Sequence, residues 1–166
     1  MQVGNRHFVE CADNSILDAF EFDYASASDN VRITYTCLES PDIFYFEGAE
    51  PRETQYSDSG DIKSGRNSLE SLSKHEVNCN GAFLKSWYLR QWSHSMNIVY
   101  QCTSLMTPFR DGCQVSYSRP VGRLHRKLSA FRRSMVTCMS GTALTHFRFN
   151  GTLIEYTCCP RPSRVN

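Results

Sequence analysis

Eight cysteines, at positions 11, 37, 79, 102, 113, 138, 158 and 159, are the residues of this 166-residue chain whose types and spacing speak first to chemistry. Their number is even, and none stands in a Cys-x-x-Cys arrangement, the spacing that zinc ribbons and thioredoxin-like dithiols use. Paired disulfides, and with them an extracellular compartment, are the expected state. The adjacent Cys158 and Cys159 also fit a vicinal redox pair. Strand alternation, however, would turn their side chains to opposite faces and give each a separate partner.

Other reactive groups are scattered. His7 and His75 each stand four residues before a cysteine, where Ser134 stands before Cys138, and such repetition suggests a structural role. His94, His125 and His146 have no Cys, Asp or Glu at ligand spacing, so no metal or cofactor is expected. No Gly-x-Ser-x-Gly frames a serine nucleophile, and the expectation is a protein without catalytic residues. Asn150-Gly151-Thr152 is a glycosylation sequon, making Asn150 the candidate acceptor. Trp92, within residues 90–97, is a candidate stacking platform or subunit anchor. A basic stretch carries Arg119, Arg123, Arg126, Lys127, Arg132 and Arg133. Inside a cell it would point to nucleic acid. Outside one it points to acidic polysaccharide or an acidic protein surface.

The elements that position these groups form an internal repeat. Val9-Glu-Cys11, Val77-Asn-Cys79 and Val136-Thr-Cys138 open three copies. Each continues as Leu-x-x-aromatic-x-apolar, with Leu17, Phe20, Phe22; Leu84, Trp87, Leu89; and Leu144, Phe147, Phe149. Each closes as Ile-x-Tyr-x-Cys, at Ile33, Tyr35, Cys37; Ile98, Tyr100, Cys102; and Ile154, Tyr156, Cys158. These period-two patterns predict antiparallel strand pairs, and the copies differ in length mainly between the two patterns, as hairpin tips do. The shortest tip holds Asn150-Gly151, a strong hairpin signal because both residues accept positive φ. The tyrosines share a face with Ile and Cys and read as packing residues rather than a sugar platform.

A hairpin brings its first and last cysteines side by side. The spacing therefore predicts Cys11–Cys37, Cys79–Cys102 and Cys138–Cys158, and leaves Cys113 for Cys159. Further strands are expected at 42–47 and 113–118, and an exposed loop over the Ser/Gly/Asp-rich 57–73. Leu124, Leu128, Phe131 and Met135 lie at helical spacing, so a short helix there is the one exception weighed. The expected fold is all-β, a single domain over 1–166 with repeats at about 1–56, 69–120 and 128–166. Its ten to twelve strands would form three sheets or a closed barrel.

Charge is divided along the chain. Residues 1–62 hold 13 acidic and 3 basic side chains, a net of −10, whereas residues 63–166 hold 4 acidic and 15 basic, a net of +11. No segment approaches the roughly 20 apolar residues of a membrane helix. Met1 to Glu10 has neither the basic start nor the apolar run of a secretory signal, so the chain reads as a mature form or a fragment of something longer.

The pattern resembles the vitelline membrane outer layer protein family. That family also carries three repeats running from a cysteine to an Ile-x-aromatic-x-Cys strand, and closes on a Cys-Cys pair as Cys158-Cys159 does here. The resemblance spans most of the chain and implies a β-prism: three four-stranded sheets about a pseudo-threefold axis. The family's Trp-Gly elements and Asp-rich runs are absent, so the resemblance is taken for architecture only. The functional expectation is an extracellular structural or coat protein. Head-to-tail contact between the basic second half of one copy and the acidic first part of the next would give a fibre or layer. A carbohydrate-binding module is the alternative.

Overall fold

The computed structural model describes residues 8–24, 31–39, 50–58, 68–92, 95–103, 111–121, 131 and 134–161. These comprise twelve strands and one short helix. In chain order they are β1 (Phe8–Glu10), β2 (Ser15–Tyr24), β3 (Val31–Glu39), β4 (Arg52–Glu53), β5 (Ser57–Asp58), α1 (Ser68–Leu72) and β6 (Glu76–Asn78). There follow β7 (Leu84–Trp92), β8 (Ser95–Cys102), β9 (Gln114–Tyr117), β10 (Met135–Thr137), β11 (Thr142–Asn150) and β12 (Leu153–Pro160).

The three copies of the repeat are the three long hairpins β2–β3, β7–β8 and β11–β12. Their registers coincide: Phe22 faces Ile33, Leu89 faces Ile98, and Phe149 faces Ile154. Each also shifts register at one place, at Asp18, Lys85 and Thr145, two residues before the repeated aromatic. Such a bulge leaves one residue unpaired in its own hairpin. The freed carbonyls are taken by another repeat: the backbone N–H of Cys11 donates to Lys85, that of Cys79 to Thr145, and that of Cys138 to Asp18.

These bonds extend a cyclic exchange of strands. The short strand before each first cysteine leaves its own hairpin and pairs with the next one. Thus β1 joins β7, β6 joins β11, and β10 joins β2, all antiparallel. The resulting sheets read β1-β7-β8-β4 with β5 also on β8, then β10-β2-β3, and β6-β11-β12-β9. They are three open sheets and not a closed barrel, because the exchanged strands link hairpins at one edge only and each sheet keeps two ends.

Period-two alternation aims one face of every hairpin at a common interior. Val9, Val77 and Val136 of the exchanged strands are buried there, with Leu17, Leu84 and Leu144 beside them. The repeated aromatics meet: Phe20, Trp87 and Phe147 lie with ring centroids 5.0 to 5.2 Å apart in all three pairings. Phe22 and Phe149 pack next to them, and Phe131 fills the space between, 6.0 and 5.5 Å from those two rings. Ile16, Phe83 and Ala143 form a second buried group with Cys159.

All eight cysteines are oxidised, in the expected pairs Cys11–Cys37, Cys79–Cys102, Cys138–Cys158 and Cys113–Cys159. The three repeat bridges span 20 to 26 residues with Cα atoms 5.6 to 5.8 Å apart. On the chain-entropy model each contributes about 3 kcal/mol by restricting the unfolded chain.

Several local expectations are revised. The stretch 57–73 is not all loop, since β5 and α1 lie within it. The helical spacing through Phe131 and Met135 does not continue as a helix: Met135 opens β10 with its side chain exposed, and Val136 takes the buried position. Only Gly151, not Asn150, adopts positive φ at the third hairpin tip. The strand expected at 42–47 lies outside the described residues, as do Leu124 and Leu128.

Candidate functional site

Two features of the surface distinguish one sheet from another, and both follow from what lies beside the second strand of each hairpin. On β8 and β12 that edge is covered. β4 and β5 pair with β8, and β9 pairs with β12. β3 takes no such strand among the described residues.

The covering is completed by a hydroxyl. Thr54, just after β4, donates its backbone N–H to the Ile98 carbonyl (3.0 Å) and accepts the Ile98 N–H on Oγ1 (2.9 Å). Ser118, just after β9, does the same to Ile154, with its N–H on the carbonyl at 2.8 Å and its Oγ on the N–H at 2.9 Å. One residue, through its backbone N–H and its hydroxyl, thus satisfies both polar groups of a buried isoleucine. Thr54 Oγ1 is held in turn by His75 Nδ1 at 2.7 Å. His75 is buried, which lowers its pKa below the ordinary histidine value, and the neighbouring Lys74 charge lowers it further.

The matching residue of the first repeat is Ile33. By the shared register, Ile33, Tyr35 and Cys37 turn their N–H and C=O groups away from β2. The consequences are visible in burial. Ile33 and Cys37 are only half-buried where Ile98, Ile154, Cys102 and Cys158 are buried, and Tyr35 is 40% exposed where Tyr156 is 6%. The Tyr35 hydroxyl donates to the Glu10 carbonyl, and the Tyr100 hydroxyl makes the equivalent bond to Asn78. At the far end of β3, Arg161 Nη1 donates to the Glu39 carbonyl (3.3 Å). Among the described residues the edge without a partner strand therefore runs from Ile33 to Cys37.

The second feature is the outer face of the β6-β11-β12-β9 sheet. Register aligns Asn78, His146, Thr157 and Val115 in one row, and Glu76, Arg148, Glu155 and Tyr117 in the next. His146 Nε2 lies 2.9 Å from Glu76 Oε1, and Arg148 forms a two-pronged pair with Glu155 at 2.9 and 3.0 Å. The hydrogen bond to Glu155 raises the Arg148 pKa above its ordinary value. A shallow groove of about 630 Å³ runs over Asn78, Asn80, Thr145, His146, Glu155 and Thr157. Val115 lines it and is 56% exposed, and Tyr117, paired with Glu155 in the next row, is 59% exposed.

Sequence spacing did not bring His146 and Glu76 together, because 70 residues separate them; only the exchange of β6 onto β11 does. The bulge residues also carry chemistry unread from spacing. Lys85 Nζ is buried against Asp13 Oδ1 at 2.9 Å. Asp18 has its pKa raised by burial, against the lowering effects of a Thr36 hydrogen bond and the Arg161 charge.

Of the residues singled out beforehand, Asn150 is exposed at the end of β11, where a glycan would meet no packing. Trp92 is the last residue of β7, opposite Ser95; its ring lies outside the described residues. Arg119 is exposed and its carbonyl accepts from Ser134 Oγ (3.4 Å), the position that matches His75 in the repeat. Arg123, Arg126, Lys127, Arg132 and Arg133 lie outside the described residues, as do His7, His94 and His125. No group of three potential metal ligands occurs among the described residues, and no helix among them is long and apolar enough to cross a membrane. No protein-family model matches the chain, and no curated protein or solved structure matches it either.

Proposed function

We propose that this chain is an extracellular structural protein, a disulfide-locked block that joins further copies of itself into a fibre or layer by strand addition at the edge of β3. The observation that carries this reading is the asymmetry among three otherwise matched hairpins: two have a strand on their outer edge and one has none among the described residues. An unpaired edge is a template for another chain. This one is five residues long from Ile33 to Cys37, with exposed Thr34, Tyr35 and Thr36.

A second copy is the occupant, because the edge lies within residues 1–62, which carry −10, and residues 63–166 of another copy carry +11. Complementary charge steers such contacts and weakens with salt. The contact is heterologous and does not close by default. We read the architecture as a β-prism, supported by the cyclic strand exchange and by the mutual contact of Phe20, Trp87 and Phe147.

Light scattering at low and high salt tests the assembly, with Thr34→Lys/Thr36→Lys as the blocked edge. Mass should rise with concentration at low salt, fall at high salt, and stay monomeric in the double variant. A monomer at every concentration would overturn the reading.

A second reading, a carbohydrate-binding module, is favoured by the polar groove over His146, Glu155 and Asn80, with the exposed Tyr117 paired in register to Glu155. Planar polar side chains beside an exposed ring suit a sugar. Glycan-array binding that is lost in Tyr117→Ala while assembly is retained would select it.

A further inference from the structure

The two occupied edges define what the third one fits. Both use an extended segment that pairs antiparallel for at least two residues and then presents a hydroxyl residue to the repeated isoleucine. The pattern is the same although the segments share no sequence: Arg52-Glu53-Thr54 in one case, Ser116-Tyr117-Ser118 in the other. Thr103 makes a third such clamp at the open end of the second hairpin. Its N–H donates to the Phe83 carbonyl (2.8 Å), and its Oγ1 accepts the Phe83 N–H (3.1 Å). A backbone N–H alone satisfies only the carbonyl of the facing residue. The hydroxyl supplies the acceptor for the facing N–H after the incoming strand has turned away.

From this recurrence we infer that the β3 edge selects a strand that ends in serine or threonine, with that residue's N–H and hydroxyl engaging the carbonyl and N–H of Ile33. The inference rests on the reading that another copy adds a strand at this edge, and it names the chemistry of the arriving segment. Ile33 is the position that Ile98 and Ile154 define in the shared register. Burial of Ile33, Tyr35 and Cys37 to the level of their counterparts is the expected gain. A valine in place of the hydroxyl residue keeps the shape and the β preference but leaves the Ile33 N–H facing a methyl group, a buried donor without a partner.

The test uses the intact protein and two synthetic peptides. One copies residues 50–57 of this chain, and the other carries Thr54→Val. Binding is measured by calorimetry, and the amide of Ile33 is followed by NMR hydrogen exchange, which separates the β3 edge from exchange at β8. The threonine peptide should bind about tenfold more tightly than the valine peptide, slow exchange at Ile33, and compete with self-association. Equal affinity of the two peptides at β3 would overturn the hydroxyl requirement while leaving strand addition intact. Binding of neither peptide in a protein that still assembles through β3 would overturn it as well. Failure of both peptide binding and self-association would instead remove the strand-addition reading on which it rests. An Ile33 amide already protected in the dilute monomer without peptide would show the edge occupied, and would overturn both.

Discussion

At the scale of the residue, three equivalent aromatics and one histidine carry most of what can be tested. Trp87 stands where the other repeats have Phe20 and Phe147, and its Nε1 is buried with no hydrogen-bond partner among the described residues. A buried donor left unpaired costs about 1–3 kcal/mol. Trp87→Phe removes that donor and restores the residue type of the other two repeats, offsetting part of the lost volume. We predict that it destabilises by roughly 1 kcal/mol, whereas Phe147→Ala costs about 3–5 kcal/mol by opening a cavity among rings. Denaturant melts of both variants check this, and equal losses would show that the indole N–H carries no penalty. His75 gives a pH dependence. Its folded pKa is depressed by burial, so below about pH 6.5 the unfolded chain takes up a proton that the folded chain resists. Stability should therefore fall as pH drops through that range and be unaffected by this residue above it. In His75→Gln the difference in Tm between pH 7.5 and pH 5 should shrink; an unchanged difference would contradict the assignment.

At the scale of the element, the hairpins were legible because period-two patterning, turn spacing and cysteine placement all pointed the same way. The register that sets Phe22 against Ile33 follows from the inward aim of both, since a one-residue slip would expose every core side chain. The exchanged strands were not legible. Val9, Val77 and Val136 read as strand residues, but local sequence holds nothing that says which hairpin a three-residue strand will join. The bulges at Asp18, Lys85 and Thr145 were hidden for the same reason: their carbonyls are satisfied by a different repeat. The groove residues His146 and Glu76 came together only through that exchange. The hydroxyl clamps make a prediction at this scale. Ser118→Ala should remove the acceptor for the Ile154 N–H and destabilise by about 1–3 kcal/mol. The Ile154 amide should then exchange faster than in the parent while Ile98, clamped by Thr54, is unchanged. Equal exchange at both positions would show that the clamp is not local.

At the scale of the whole molecule, the four bridges, the strand exchange and the shared aromatic interior make three hairpins into one block. Its asymmetry is at the surface, in the edge of β3, which no strand covers among the described residues, and the polar face of the β9-containing sheet. The charge division along the chain was plain from composition, but which edge it would serve was not, because edges are a property of the assembled sheets. The basic residues from 123 to 133 lie outside the described residues, and the proposed contact is argued from the β3 edge. The most direct measurement is hydrogen exchange at the Ile33, Tyr35 and Cys37 amides across a concentration series, with molar mass followed in parallel. The account predicts fast exchange in dilute monomer, and protection that grows with mass as copies add strands to the β3 edge. Protection independent of concentration, or a mass that rises while these three amides stay unprotected, would contradict it.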